Sequence, residues 1–168
     1  MKLPFTIVIF VLVVNYTYFS DQFKHRHPKT MTFQLHPRLR QDCIEVGRFE
    51  LCQLLMMNDS QYPWFILVPE KAGLREIYQL TKPERELLLE ESSYLAENLA
   101  TLYKADKMNI ASIGNMVPQL HIHHIVRYQT DKAWPAPVWG KFDAIPYTPQ
   151  QIAENLTLIK DRLGNRLN

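Results

Sequence analysis

The segment Pro118-Gln-Leu-His-Ile-His-His-Ile-Val-Arg127 constrains this chain more than any other, because it sets three of the six histidines within four residues of an otherwise apolar run. Read as a β-strand, its side chains alternate between two faces. Leu120, Ile122, His124 and Val126 share one face, while Gln119, His121, His123, Ile125 and Arg127 share the other. The first face reads as core, with His124 as a core histidine satisfied by a hydrogen bond. The second presents Gln119, His121 and His123 in a row, close enough for adjacent imidazoles to address one small anionic group. Burying two imidazoles costs free energy unless each finds partners, so this face is the candidate site.

A strand of this kind needs a sheet around it, and the flanking sequence supplies one. Residues 50–57 and 64–68 are apolar runs separated by the turn-forming Asn58-Asp-Ser60, which predicts an antiparallel hairpin. Residues 107–113 form another strand candidate. Residues 37–47 read as a short helix or irregular segment feeding a strand. Thr81-Lys-Pro-Glu84 is a capping-box pattern ahead of Leu88, Leu95, Leu99 and Leu102, which fall on one face of a helix ending near Lys104, with Glu90, Glu91, Glu97 and Asn98 largely elsewhere. Thr148-Pro-Gln-Gln151 repeats the pattern ahead of Ile152, Leu156, Ile159 and Leu163. The expected fold is α+β, with an antiparallel sheet of about five strands and two or three helices.

Charge and cysteine content exclude some functions. The net charge is +2, but residues 1–30 alone carry +3, which leaves −1 for residues 31–168. No basic patch is visible there, so a nucleic-acid duplex is not the expected partner. Cys43 and Cys52, the two cysteines, are not in a C-x-x-C pair and read as buried, reduced thiols.

Three chemistries could use His121 and His123. A His-x-His pair chelates metal, but zinc takes three or four ligands and nothing nearby completes the set. Imidazole also serves as a general acid or base near neutral pH. The third option is nucleophilic attack on phosphorus, with Gly114 and Asn115 just upstream offering backbone N–H groups and an amide to phosphate oxygens.

Gly114-Asn-Met-Val-Pro-Gln-Leu-His-Ile-His-His-Ile-Val126 resembles the signature of the histidine triad (HIT) family of nucleotide hydrolases and transferases, in which a Gly-Gln-Ser/Thr-Val segment runs into alternating histidines. The chain is similar to a bacterial-type HIT domain in which Gln119 stands for the first triad histidine and His124 for an apolar residue. Trp134-Pro-Ala-Pro-Val-Trp-Gly140 looks like the Trp-Pro tail that follows the triad in part of the family, and residues 58–69 resemble its ribose-binding hairpin. A further histidine of that hairpin in many active members is matched here by Trp64.

The resemblance implies a HIT-like domain over residues 31–168 with a C-terminal helix, paired as a homodimer. It implies attack by His121 on the α-phosphate of a nucleotide, a phosphoramidate or dinucleoside polyphosphate, through a nucleotidyl-histidine intermediate. His123 would contact the phosphate or the leaving oxygen, and Gln119 would hydrogen-bond without carrying a proton. Asn115 and Gly114 would hold phosphate and Asp59 the ribose, with Arg127 and Trp134 as further substrate contacts. From the residues alone, Arg127 reads as a solvated strand-end cation ahead of a phosphate contact, Asp59 as a turn former, and Trp134 as packing or as a stacking contact. No cofactor and no metal are implied. The alternative is a nucleotide-binding regulatory module of weak activity.

Lys2 followed by the apolar residues 3–14 looks like a leader, yet is too short to span a bilayer, which takes ~20 apolar residues. Met31 is the alternative start, which makes residues 1–30 a leader or mis-assigned start and the expected location cytoplasmic. A membrane becomes a partner, as an anchor or through export, only if residues 1–30 are retained.

Overall fold

The computed structural model describes residues 32–168; the readings of residues 1–31 lie outside them. The apolar runs on either side of the Asn58 turn pair as the expected hairpin. Strand β2 (Cys52–Met57) lies antiparallel to β3 (Trp64–Pro69), with Leu54 opposite Leu67. The histidine segment forms β5 (Ile122–Arg127) between β3 and β4 (Lys107–Ala111), antiparallel to both. It begins at Ile122 rather than Pro118, so Gln119 and His121 precede the ladder.

A fifth strand was only half visible in the sequence. Residues 37–47 divide into a one-and-a-half-turn helix α1 (Pro37–Asp42) and strand β1 (Cys43–Arg48), and the sheet order is β1-β2-β3-β5-β4. β1 is an edge strand. Its register against β2 shifts between Glu45 and Gly47, a bulge that leaves Val46 as the extra residue. A Cβ on Gly47 would lie 2.8 Å from both the Asn168 carbonyl oxygen and Leu167 Cγ, so glycine is what lets the tail close over this edge. Arg48 and Asn168 exchange both backbone hydrogen bonds, at 2.8 Å each.

Both capping boxes form. Helix α2 (Lys82–Tyr103) starts at Thr81, whose backbone N–H donates to Glu84 Oε2 at 2.9 Å, and it ends on Lys104 in the left-handed region. Helix α3 (Pro149–Leu163) starts at Thr148 in the same way, with Gln151 Oε1 accepting at 2.8 Å. Leu88, Leu95 and Leu99 of α2 and Ile159 and Leu163 of α3 are buried against one face of the sheet, together with Leu54, Phe65, Leu67, Ile122 and Val126. Glu91 departs from the expectation that it lies off this face. It is three residues after Leu88 and four before Leu95, hence on the packed side, and its carboxylate accepts the Leu51 N–H at 2.7 Å.

The other face of the sheet is covered as well. Leu55, Trp64, Ile66, Val68 and Ile125 alternate with the residues above and pack beneath Leu39, Val117, Ala133 and Val138. Two covered faces explain why β2, β3 and β5 read as nearly continuous apolar runs. Cys52 is buried and Cys43 half-buried, a partial departure from two buried thiols; both are free. Burial, then the Asp42 charge, push the Cys43 thiol up to about 12, so it stays protonated. Among the described residues no helix is long and apolar enough to cross a membrane.

Candidate active site

The alternation of β5 sorts its three histidines. His124 points towards α2, where its Nε2 lies 2.7 Å from Ser92 Oγ and its Nδ1 lies 3.2 Å from the Ile122 carbonyl. A carbonyl only accepts, so Nδ1 carries the proton and Nε2 accepts from the serine hydroxyl. Burial pushes this imidazole down to about 4, against the two hydrogen bonds. It is the satisfied core histidine expected from its position.

His121 and His123 lie on the opposite face with ring centroids 4.8 Å apart. His121 Nδ1 is 2.7 Å from the Gln119 carbonyl oxygen, so Nδ1 is the protonated nitrogen and Nε2 holds the lone pair. His123 has the reverse arrangement. The Trp64 indole N–H donates to its Nδ1 at 2.9 Å, which leaves the proton on Nε2. Both rings are almost covered, at 4% and 7% exposure. Yet neither Nε2 has a hydrogen-bond partner among the described residues, and neither belongs to the sealed, unpartnered polar atoms. His121 Nε2 therefore keeps its lone pair and His123 Nε2 its N–H without a partner among the described residues.

Burial holds both rings neutral. His123 is pushed down to about 3 by desolvation, then by the nearby charges of His121 and His124. His121 is lowered chiefly by desolvation; its bond to Gln119 opposes this, and a charge on His36 adds to it. Around His123, Trp64 and Trp139 pack edge-on at 5.4 and 5.6 Å. The Trp139 indole N–H is sealed from solvent with no partner.

The remaining expected site residues fall into two groups. Gln119, Gly114 and Asn115 lie at the start of β5. Gln119 spends its side chain on the N-terminal segment: its Oε1 accepts from the His36 N–H at 2.8 Å and its Nε2 donates to the Gln34 carbonyl at 3.0 Å. Gly114 and Asn115 are exposed and line a cleft of about 350 Å³ together with Arg75 and Gln119. A Cβ on Gly114 would meet nothing nearer than the Val117 oxygen at 3.7 Å, so no packing inside the chain requires glycine there.

Arg127, Asp59 and Trp134 belong to the other end of the strand, where Arg127 lies about 13 Å beyond His123 at the usual rise. The Arg127 guanidinium, read as a phosphate contact or as a solvated cation, is neither: it is 1% exposed. It donates to both carboxylate oxygens of Asp131 (2.7 and 3.0 Å), to Asn109 Oδ1 (2.7 Å) and to the Ala136 carbonyl (3.0 Å). Burial alone would raise the Asp131 carboxyl, but the hydrogen bonds from Arg127 and from the Tyr128 and Ala133 N–H groups hold it below its ordinary value. Trp134 lies over this pair, with the Arg127 Cζ 5.7 Å from its ring. Asp59 is 4% exposed, and its Oδ1 takes the N–H groups of Gln61 and Ile145 and the Gln61 amide. Each of these three residues has a structural partner within the chain.

His36, which the sequence reading passes over, caps α1, with its Nδ1 accepting the Arg38 N–H at 3.2 Å. It lies next to Gln119 although 83 positions separate them in sequence. Only the fold brings it there.

An antiparallel sheet backed by two helices, with a neutral imidazole pair on its other face, defines the class of protein. The HIT domain model matches residues 38–130, and the chain belongs to the HIT family. A histidine triad protein from Marinobacter aquaeolei VT8 is 52% identical, with 79% of this chain and 96% of that one covered and a TM-score of 0.77. One from Sinorhizobium meliloti 1021 is 38% identical, over 79% of this chain and 98% of that one, with a TM-score of 0.76. A hypothetical histidine triad nucleotide-binding protein from Sulfolobus tokodaii strain7 shares the fold at 16% identity, over 74% and 86%, with a TM-score of 0.54. No curated protein matches the chain.

Proposed function

We propose that the chain is a nucleotide hydrolase or transferase that works through a nucleotidyl-histidine intermediate. The observation that carries this reading is the opposed protonation of the two rings: an Nε2 lone pair on His121 next to an Nε2–H on His123. In the first step the His121 lone pair forms a bond to the α-phosphorus, and the bond from phosphorus to the leaving group breaks with its electron pair. The positive charge that develops on the ring is shared with Nδ1–H, which already donates to the Gln119 carbonyl. His123 Nε2–H donates to a phosphate oxygen as charge builds there. In the second step water adds its oxygen to phosphorus and loses one proton to solvent, and the electron pair of the P–N bond returns to His121.

Gly114 and Asn115, which share a cleft with Gln119, are read as the phosphate contacts. Gln119 stands where the family has its first triad histidine, and its role is to position His121 through its carbonyl. The protein is read as a homodimer: β4 is an edge strand, and Ile110, Ile113 and Met116 at and after it are exposed. A reducing, cytoplasmic setting agrees with the free Cys43 and Cys52.

The test is incubation with adenosine phosphoramidate and diadenosine polyphosphates, followed by acid-free quenching and intact-mass analysis. A nucleotidyl adduct that maps to His121 and is lost in His121→Ala, with nucleotide binding retained, supports the reading. Binding with neither adduct nor product favours the regulatory module, which is supported by the resemblance that sets Gln119 and Trp64 at histidine positions of the family.

A further inference from the structure

On the opposite side of the sheet from His121 and His123, a cleft of about 390 Å³ opens between three elements. Phe49 and Glu50 line it from the turn between β1 and β2, Leu87 and Glu91 from α2, and Arg166 and Asn168 from the segment that follows α3. Its volume lies towards the lower end of the range that holds small-molecule ligands. None of its lining residues belongs to the front-face site.

Glu91 is the anomaly in this cleft. It is 2% exposed, and no cationic side chain of the described residues forms an ion pair with it. Its Oε1 accepts the Leu51 N–H at 2.7 Å, while its Oε2 is sealed from solvent with no hydrogen-bond partner. The neighbouring Cys52 brings no positive charge: burial, then the Glu91 charge, push its thiol up, so it stays neutral. One backbone N–H offsets only part of the free energy lost when a carboxylate leaves water, and a cation offsets the rest.

Arg166 sets a positive charge on the same cleft but gives it to neither glutamate. Its Cζ lies 4.2 Å from the centre of the Tyr94 ring, and among the described residues it has no carboxylate partner. Tyr94 is held from two sides, edge-on to Phe49 at 6.2 Å and by its hydroxyl, which donates to the Leu163 carbonyl at 3.0 Å. The cleft thus carries carboxylates and a guanidinium that do not meet. A molecule with both charges answers both: an ammonium group for Glu91, with Glu50 at the rim, and a carboxylate for the planar fork of Arg166. Phe49 and Leu87 offer a wall to its apolar part.

We infer that this cleft binds a small zwitterion of the amino-acid type, with its ammonium group at Glu91 and its carboxylate at Arg166. The inference goes beyond the nucleotidyl-transfer reading and does not depend on it. Arg166 shares its segment with Asn168, whose backbone exchanges two hydrogen bonds with Arg48. A ligand held between α2 and this segment therefore ties the segment to the helix and reinforces its closure over the β1 edge.

The test uses the full chain and three compounds of similar shape: L-leucine, isoamylamine and isocaproate, which carry both charges, the ammonium alone and the carboxylate alone. Calorimetric titration should show saturable binding of L-leucine, and the melting temperature should rise with its concentration. Isoamylamine and isocaproate should each bind at least about tenfold more weakly, since each loses one charge-assisted contact. Glu91→Gln keeps an oxygen for the Leu51 N–H and should weaken L-leucine by a similar factor. Arg166→Gln, at an exposed position, should do the same and supplies the readout if Glu91→Gln does not fold. The imidazole resonances of His121 and His123 should stay still throughout. A wild type without saturable L-leucine binding, or folded variants that bind it equally well, overturns the site. Isoamylamine as tight as L-leucine overturns the zwitterion, and shifts at His121 and His123 overturn the location.

Discussion

The Trp64 indole N–H donates to His123 Nδ1 at 2.9 Å, and this one bond decides which nitrogen of His123 carries the proton. The resemblance read from the sequence sets Trp64 where many active members have a further histidine. Here the position orients a neutral ring instead of sharing a proton with it.

Trp64→Phe keeps the aromatic packing and deletes the donor. A buried Nδ1 acceptor is then left unsatisfied, which costs about 1–3 kcal/mol of stability. The His123 proton is also free to redistribute between its nitrogens. We expect the ¹⁵N shifts of His123 to move towards a tautomer mixture and kcat to fall; shifts identical to the wild type would show that the indole does not set the tautomer.

Arg127→Met leaves the Asp131 carboxylate buried without its partner, and breaking a buried pair in this way costs about 3–5 kcal/mol. The melting temperature should drop, and Arg127→Met/Asp131→Asn should recover part of the loss. Nucleotide affinity of the folded fraction should hold. A large loss of affinity at constant stability would return Arg127 to the list of substrate contacts.

Gln119→Ala removes the clamp on Gln34 and His36 but not the backbone carbonyl that holds His121. The His36 amide should exchange faster with solvent, and KM should rise more than kcat falls. An equal fall in kcat with no change in KM would mean that the side chain acts at the transition state instead of shaping the cleft.

The buried histidines make stability depend on acid. His123 and His124 titrate near 3 and 4 in the folded state against 6.5 as the ordinary value, so between about pH 6.5 and pH 4 the unfolded chain binds more protons than the folded one. Stability is then complete above that window and is lost as pH falls through it, at up to roughly 1.4 kcal/mol per pH unit for each ring. Urea unfolding at a series of pH values should show this slope, and His124→Gln should make it shallower. A flat profile from pH 6.5 to 4 would contradict neutral burial.

What was legible in the sequence is what local signals encode. The capping boxes at Thr81 and Thr148 and the Asn58 turn act over three or four residues, and each forms as read. β1 was obscured because an edge strand with a bulge at Val46 shows neither a clean alternation nor a continuous apolar run. Glu91 and Arg127 were misplaced for one reason: a charge reads as solvent-facing until the partner that neutralises or hydrogen-bonds it is known. The Asp131 partner of Arg127 lies only four residues on, but the Leu51 N–H that bonds one oxygen of Glu91 is 40 positions away. The site divides along the same line. The His121 and His123 pairing follows from strand parity, whereas His36 reaches Gln119 only through tertiary folding.

The parity that separates His124 from its neighbours gives the molecule an internal blank. Its ring faces Ser92 behind the sheet, while those of His121 and His123 lie in front, three and one residues earlier on the same backbone. In a titration followed through imidazole resonances, a ligand that docks on the front face shifts two signals and leaves the third still. A distortion of the whole strand moves all three. Occupancy and deformation, which most spectroscopic probes report together, are thereby recorded on separate channels without any label.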